Sequence, residues 1–175
     1  MADKNLINFL PFFKKVSLFH HLTEAQIKKL LPIMSIREVN AHELICYEGA
    51  HESTLFILIR GEVEISKRLL LPFVQSPYLH QEKSLLTLSE KQHAFFGEMA
   101  LFEEEPERSA SITALRSCTL AVVEKQDLIE ILDNNPAIGS IIYKNIATEL
   151  TFRLIKANKD ILKLTTAFSL ALEGD

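Results

Sequence analysis

Phe96-Gly97-Glu98-Met99-Ala100-Leu101-Phe102, followed shortly by Glu107-Arg108-Ser109-Ala110, decides how the rest of this chain is read. It sets a glycine turn, a carboxylate and an arginine within a dozen residues, flanked by apolar segments. Gly97 lets the backbone approach a ligand with no Cβ in the way. If residues 98–102 open a short helix, its free N–H groups and the positive end of its dipole face an anion. Arg108 brings a planar, two-pronged donor suited to phosphate oxygens. Glu98 stands too close to such an anion to be its ligand. Its chemistry is that of an acceptor for a sugar hydroxyl, or of the partner that orients Arg108. From these residues alone, an ordinary Glu98–Arg108 ion pair tying two strands together remains the plainer alternative.

Outward from this stretch, residues 35–123 read as short β-type runs: 36–39, 44–47, 55–59, 63–66, 84–88, 109–114 and 119–123, with glycine or polar clusters between them. Many short strands at such spacing indicate a roll or barrel, and short connections favour antiparallel pairing. Residues 67–83 are longer than a hairpin turn needs and hold Pro72, Pro77, Leu69, Leu70, Leu71, Phe73 and Tyr78. A simple surface excursion explains them, although their apolar content also permits a partner contact.

The ends of the chain are helical in pattern. Residues 5–15 suggest a short amphipathic helix interrupted at Pro11. Thr23 with Gln26 is a capping-box pair, Leu22 and Ile27 can form the accompanying staple, and Ile27, Leu30 and Leu31 face inward. After Pro136 one long helix runs to near Leu172. Leu150, Leu154, Ala157, Ile161, Leu164, Phe168 and Ala171 are spaced alternately by four and three, the seam of a coiled coil. That stripe predicts a parallel homodimer through residues 150–171, against the alternative of a helix laid on its own β-roll. Ile155, Leu162, Ala167 and Leu170 occupy other faces.

The expected fold is therefore α+β and mainly β: an antiparallel, jelly-roll-like β-roll with N-terminal helices and a long C-terminal helix. The boundaries fall at 1–34 for the N-terminal helical segment, 35–124 for the roll and 125–175 for the C-terminal helices. At 175 residues and 47% hydrophobic, one well-buried domain is the natural expectation. A net charge of −4 with no block of Lys and Arg argues against a nucleic-acid surface. Cys46 and Cys118 sit inside apolar runs and read as core residues of a reducing compartment. The N-terminus lacks a charged region followed by an apolar core, and no apolar run is long enough to span a membrane. A soluble cytoplasmic protein is expected.

The stretch 96–110 resembles the phosphate-binding cassette of cyclic-nucleotide-binding domains, the class found in bacterial catabolite activators and kinase regulatory subunits. The resemblance covers most of the chain. Leu18-Phe19-His20-His21-Leu22-Thr23 looks like that family's opening helix, Glu48-Gly49 and Arg60-Gly61-Glu62-Val63 like its early roll turns, and Asn135-Pro136 like the lead into its last helix. The resemblance implies that Glu98 accepts the ribose 2′-hydroxyl and that Arg108 pairs with the cyclic phosphate. Ser109 then adds a hydroxyl contact, and backbone N–H groups around Met99 and Ala100, beside Gly97, complete the cradle. It implies cyclic AMP or cyclic GMP as ligand, and no cofactor or metal.

Two departures qualify it. Where the activators offer Thr and Ser to the adenine, this chain has Ala157 and Asn158; Ala157 has no polar side chain, whereas Asn158 both donates and accepts. Before the cassette, the family's glycine turn is replaced by Gln92-His93-Ala94, so a looser or reshaped connection is expected. The chain stops at Asp175, without residues for a helix-turn-helix. The expectation is a stand-alone sensor that passes occupancy through its last helix to an unidentified protein effector. A dimeric scaffold that no longer binds nucleotide is the rival. An enzyme is not expected: His42, His51, His80 and His93 are scattered singly, and no nucleophile motif is present.

Overall fold

Strand β3 (Thr54–Arg60) explains the architecture, because Leu55, Phe56, Ile57, Leu58 and Ile59 are all buried. A strand apolar on both faces must be covered on both. The computed structural model describes residues 6–68 and 82–173. Its other strands are β1 (Met34–Val39), β2 (Leu44–Cys46), β4 (Glu62–Arg68), β5 (Glu82–Ser89), β6 (Phe95–Phe96), β7 (Ser111–Ala114) and β8 (Cys118–Glu124). They form two four-stranded sheets in the orders β1-β8-β3-β6 and β2-β7-β4-β5, with every pairing antiparallel. Phe56 and Leu58 point between the sheets, where they join Phe96, Val63, Ile112 and Leu120. Leu55, Ile57 and Ile59 point outward into a second core shared with the helices. The expected roll is present, and both cysteines are buried in its inner core.

The helices are α1 (Leu10–Phe13), α2 (Glu24–Leu30), α3 (Lys125–Asp133) and α4 (Pro136–Glu173). Pro11 lies in the first turn of α1, after a 3-10 turn at Leu6–Phe9, so it starts the helix where interruption was expected. The capping box of α2 forms as read: the Thr23 N–H donates to Gln26 Oε1 at 2.8 Å, and the Gln26 N–H to Thr23 Oγ1 at 3.3 Å. The first half of α4 buries Ile138, Ile142 and Ile146 against the second core. Asn145 fastens it there, donating through Nδ2 to the Leu18 and His20 carbonyls at 2.8 Å each. From Thr151 onward almost every residue of α4 described is exposed.

Two connections refine the expectation. Residues 90–93 form a reshaped and tight turn, not a looser one. Ser89 and Gln92 make a second capping box around the 3-10 turn Glu90–Gln92, and His93 takes the left-handed conformation at φ 49°. The His93 ring lies 5.1 Å from that of Phe12, an apolar contact that offsets the strain of a side chain at positive φ. The 67–83 excursion is shorter than its sequence suggests, because Lys67 pairs with Lys83 and Arg68 with Glu82 inside the β4–β5 hairpin. Leu69, Leu70, Leu71, Phe73 and Tyr78 lie outside the described residues.

Candidate functional site

Strand β6 ends in buried Phe96, stacked on Phe56 at 5.3 Å, and Gly97 then reverses the chain at φ 83°. A Cβ on Gly97 would lie 2.6 Å from the Thr54 carbonyl oxygen and 2.7 Å from Arg108 Nη1, so only glycine fits. The residues after it form the 3-10 turn Glu98–Leu101, a single turn of the helical kind expected there. A cavity of about 340 Å³ opens beside this turn. Ile65, Leu85, Leu86, Phe96, Met99 and Ile112 give it apolar walls, and its polar side chains are Lys67, Glu98, Ser109 and Arg153.

Glu98 is 2% exposed and is paired with Arg153, whose Nη1 donates to Glu98 Oε1 at 2.8 Å. The same guanidinium donates from Nη2 to the Phe95 carbonyl at 2.8 Å and from Nε to Glu149 at 3.1 Å. Arg153 thus bolts α4 to the cassette. In sequence, Arg153 at i+4 from Glu149 is indistinguishable from an ordinary helix-surface ion pair. A signal was available: Arg153 stands seven residues beyond Ile146, on the face that Ile142 and Ile146 turn toward the roll.

Arg108 is placed differently. It is 4% exposed and lies beneath Gly97, outside the cavity lining. Its Nη2 donates to the Thr54 carbonyl at 2.9 Å, Nε is 3.6 Å from Glu52 Oε2, and the guanidinium stacks 5.2 Å from the Phe56 ring centroid. Its backbone is clamped between Gly49 and Ala50 by hydrogen bonds of 2.8 and 2.9 Å. Nε and Nη1 are buried without a hydrogen-bond partner. So Glu98 pairs with Arg153, and the carboxylate beside Arg108 is that of Glu52. Met99 and Ser109 face the cavity, the Ser109 hydroxyl 3.7 Å from the Met99 sulfur, and Ala100 is buried behind them. Asn158 is exposed on α4 and does not line the cavity.

Burial pushes the Cys46 and Cys118 thiols up from their ordinary value, which removes them as nucleophiles near neutral pH. Among the described residues, no group of three or more His, Cys, Asp or Glu side chains is arranged to hold a metal. No described helix is long and apolar enough to cross a membrane.

Residues 36–135 match the cyclic nucleotide-binding domain family. The chain is similar to cGMP-dependent protein kinase 2 of Homo sapiens, 31% identical over 112 residues that make up 64% of this chain and 13% of the kinase. It is 32% identical over 149 residues to the cGMP-dependent protein kinase of Eimeria tenella, covering 85% of this chain and 13% of that one. The chain therefore spans about an eighth of the length of these kinases. Among solved structures, the Thermus thermophilus catabolite activator protein superimposes with a TM-score of 0.69 at 26% identity, over 85% of this chain and 63% of its own. A cyclic nucleotide-binding domain from Methylobacillus flagellatus shares the fold with a TM-score of 0.74 at 24% identity, over 92% and 84% of the two chains.

Proposed function

Because the chain belongs to the cyclic nucleotide-binding domain family, we propose that it binds cyclic AMP or cyclic GMP and acts as a regulatory sensor without catalytic activity of its own. The observation that carries this reading is Arg108. A guanidinium buried to 4% exposure with two nitrogens lacking partners is costly, and a phosphate supplies the missing acceptors. Ser109 and the backbone N–H groups of Met99 and Ala100 would share the phosphate, above a glycine that leaves room for it. Glu98 spends one oxygen on Arg153 and has a second with which to accept the ribose 2′-hydroxyl.

The output runs through Arg153. A ligand that touches Glu98 and draws Arg108 from Glu52 alters the carboxylate to which α4 is bolted, and a re-angled α4 is the signal to a protein effector. In a parallel coiled coil with Leu150, Leu154, Ala157 and Ile161 on the seam, Arg153 and Asn158 take the flanking positions that face each other across two helices. Asn158 would then meet a bound base from the second copy. The buried, reduced cysteines suit a cytoplasmic setting.

One observation favours the rival scaffold: Arg108 is turned away from the cavity toward Thr54 and Glu52. Calorimetric titration of the chain with cyclic AMP, cyclic GMP and 5′-AMP as control separates the two. Micromolar or tighter binding of a cyclic nucleotide, abolished by Arg108→Ala with the oligomeric state unchanged, is the expected result. Absence of heat and of any thermal shift with both cyclic nucleotides would leave the scaffold or a sensor for a ligand outside this set.

A further inference from the structure

Lys67 is a charged residue of the cavity lining that touches neither Glu98 nor Arg153. It stands on β4 two residues beyond Ile65, and both side chains face the cavity. Ile65 pairs with Leu86 on β5 and with Ile112 on β7, so these three cavity-lining side chains form an apolar row across the sheet, the kind of surface against which a base packs. Lys67 borders that row, where the edge of such a base would lie.

Its ammonium is held without being used up. Nζ lies 3.6 Å from Glu48 Oε1, beyond hydrogen-bond length. Glu48 is itself fixed, accepting from the Arg68 N–H at 3.0 Å and donating from its own N–H to Ser111 Oγ at 3.1 Å. Lysine carries three donors and no acceptor. Guanine presents two adjacent acceptors, O6 and N7, whereas adenine presents one acceptor beside an amino donor. An ammonium at this position matches the first edge and opposes half of the second.

We propose that Lys67 reads the O6/N7 edge of the base and makes the pocket selective for guanine, so that cyclic GMP is preferred over cyclic AMP. This rests on the nucleotide-binding reading above and adds to it the identity of the base. The test is calorimetric titration of the full chain and of Lys67→Met and Lys67→Arg with cyclic GMP, cyclic AMP and cyclic IMP. Cyclic IMP keeps O6 and N7 and lacks the guanine 2-amino group. The wild type is expected to bind cyclic GMP and cyclic IMP roughly tenfold or more tightly than cyclic AMP. Lys67→Met is expected to bring the three affinities together with cyclic AMP binding little changed, and Lys67→Arg to keep the preference. Equal affinities in the wild type, a preference for cyclic AMP, or a preference that survives Lys67→Met would overturn the role of Lys67 while leaving nucleotide binding intact. Failure of all three nucleotides to bind the wild type would remove the underlying reading, and the base assignment with it.

Discussion

Arg108 lies against Gly97 and Arg153 against Glu98, and their surroundings separate what each contributes. Arg153 has acceptors for Nη1, Nη2 and Nε, so its work is complete in the absence of ligand. Removing it strands Glu98, a carboxylate 2% exposed, in an apolar wall. Arg153→Ala should therefore cost about 2 kcal/mol in urea unfolding, since a buried charge losing its partner is penalised more than the pair stabilised it. Arg108 is the reverse case, with two nitrogens short of acceptors, so Arg108→Ala should cost less stability than its burial suggests while abolishing ligand binding. Gly97→Ala belongs with these. At φ 83°, with a Cβ 2.7 Å from Arg108 Nη1, the alanine must strain the turn and displace the guanidinium. A loss of about 2 kcal/mol is expected, together with weakened nucleotide affinity; an alanine variant that binds as well as the wild type would show that the Gly97 cradle is not the phosphate seat.

At the level of elements, α4 has two halves that the same helix treats differently. Its first half is anchored through Asn145, which is 8% exposed and satisfies the carbonyls of Leu18 and His20 with one amide nitrogen. Asn145→Leu keeps the branched outline at a larger volume and removes the donor, leaving two carbonyls near the core unpaired. The expected loss is on the order of 2 kcal/mol in thermal or urea unfolding, with hydrogen exchange at residues 17–22 rising first. Elements of this kind mark what a sequence discloses. The capping box at Thr23 and Gln26, the apolar run of β3 and the long helical run after Pro136 each carry a local signal, and all were legible. Strand β6 was not, because two phenylalanines have no periodicity, and only pairing with Phe56 and Ile57 makes them a strand. The form of the His93 turn was not legible, because the Phe12 contact that accompanies its left-handed conformation comes from residues far away in the chain. Gly97 and Glu98 stand out from the residues themselves and Met99 and Ser109 enter through the family resemblance, whereas Arg153 arrives from a helix 55 residues beyond Glu98.

The whole molecule leaves one large surface unexplained by its own core. Leu154, Ile161, Leu164 and Phe168 are each more than 60% exposed, along the stripe the heptads define. Tyr143, at 40% exposure, lies seven residues before Leu150 and continues that stripe back to the cassette, where its ring is 6.4 Å from that of Phe102. An apolar seam of this length is a liability for an isolated chain, and a second copy covers it without a new surface. The seam also starts beside Phe102, at the end of the cassette turn, so a dimer formed along it would adjoin the proposed ligand site. Sedimentation of the full chain at micromolar concentration should show a dimer. Ile161→Lys places a charge in the seam and should yield monomers, whereas Leu162→Lys, on a neighbouring face of the same helix, should leave the dimer intact. If Leu162→Lys dissociates the protein and Ile161→Lys does not, the interface lies on another face of α4, and the placement of Asn158 opposite Arg153 fails with it. If the seam is correct, the Ile161→Lys monomer should still bind nucleotide through Arg108 but with weaker affinity, because the base then lacks whatever the second helix provides.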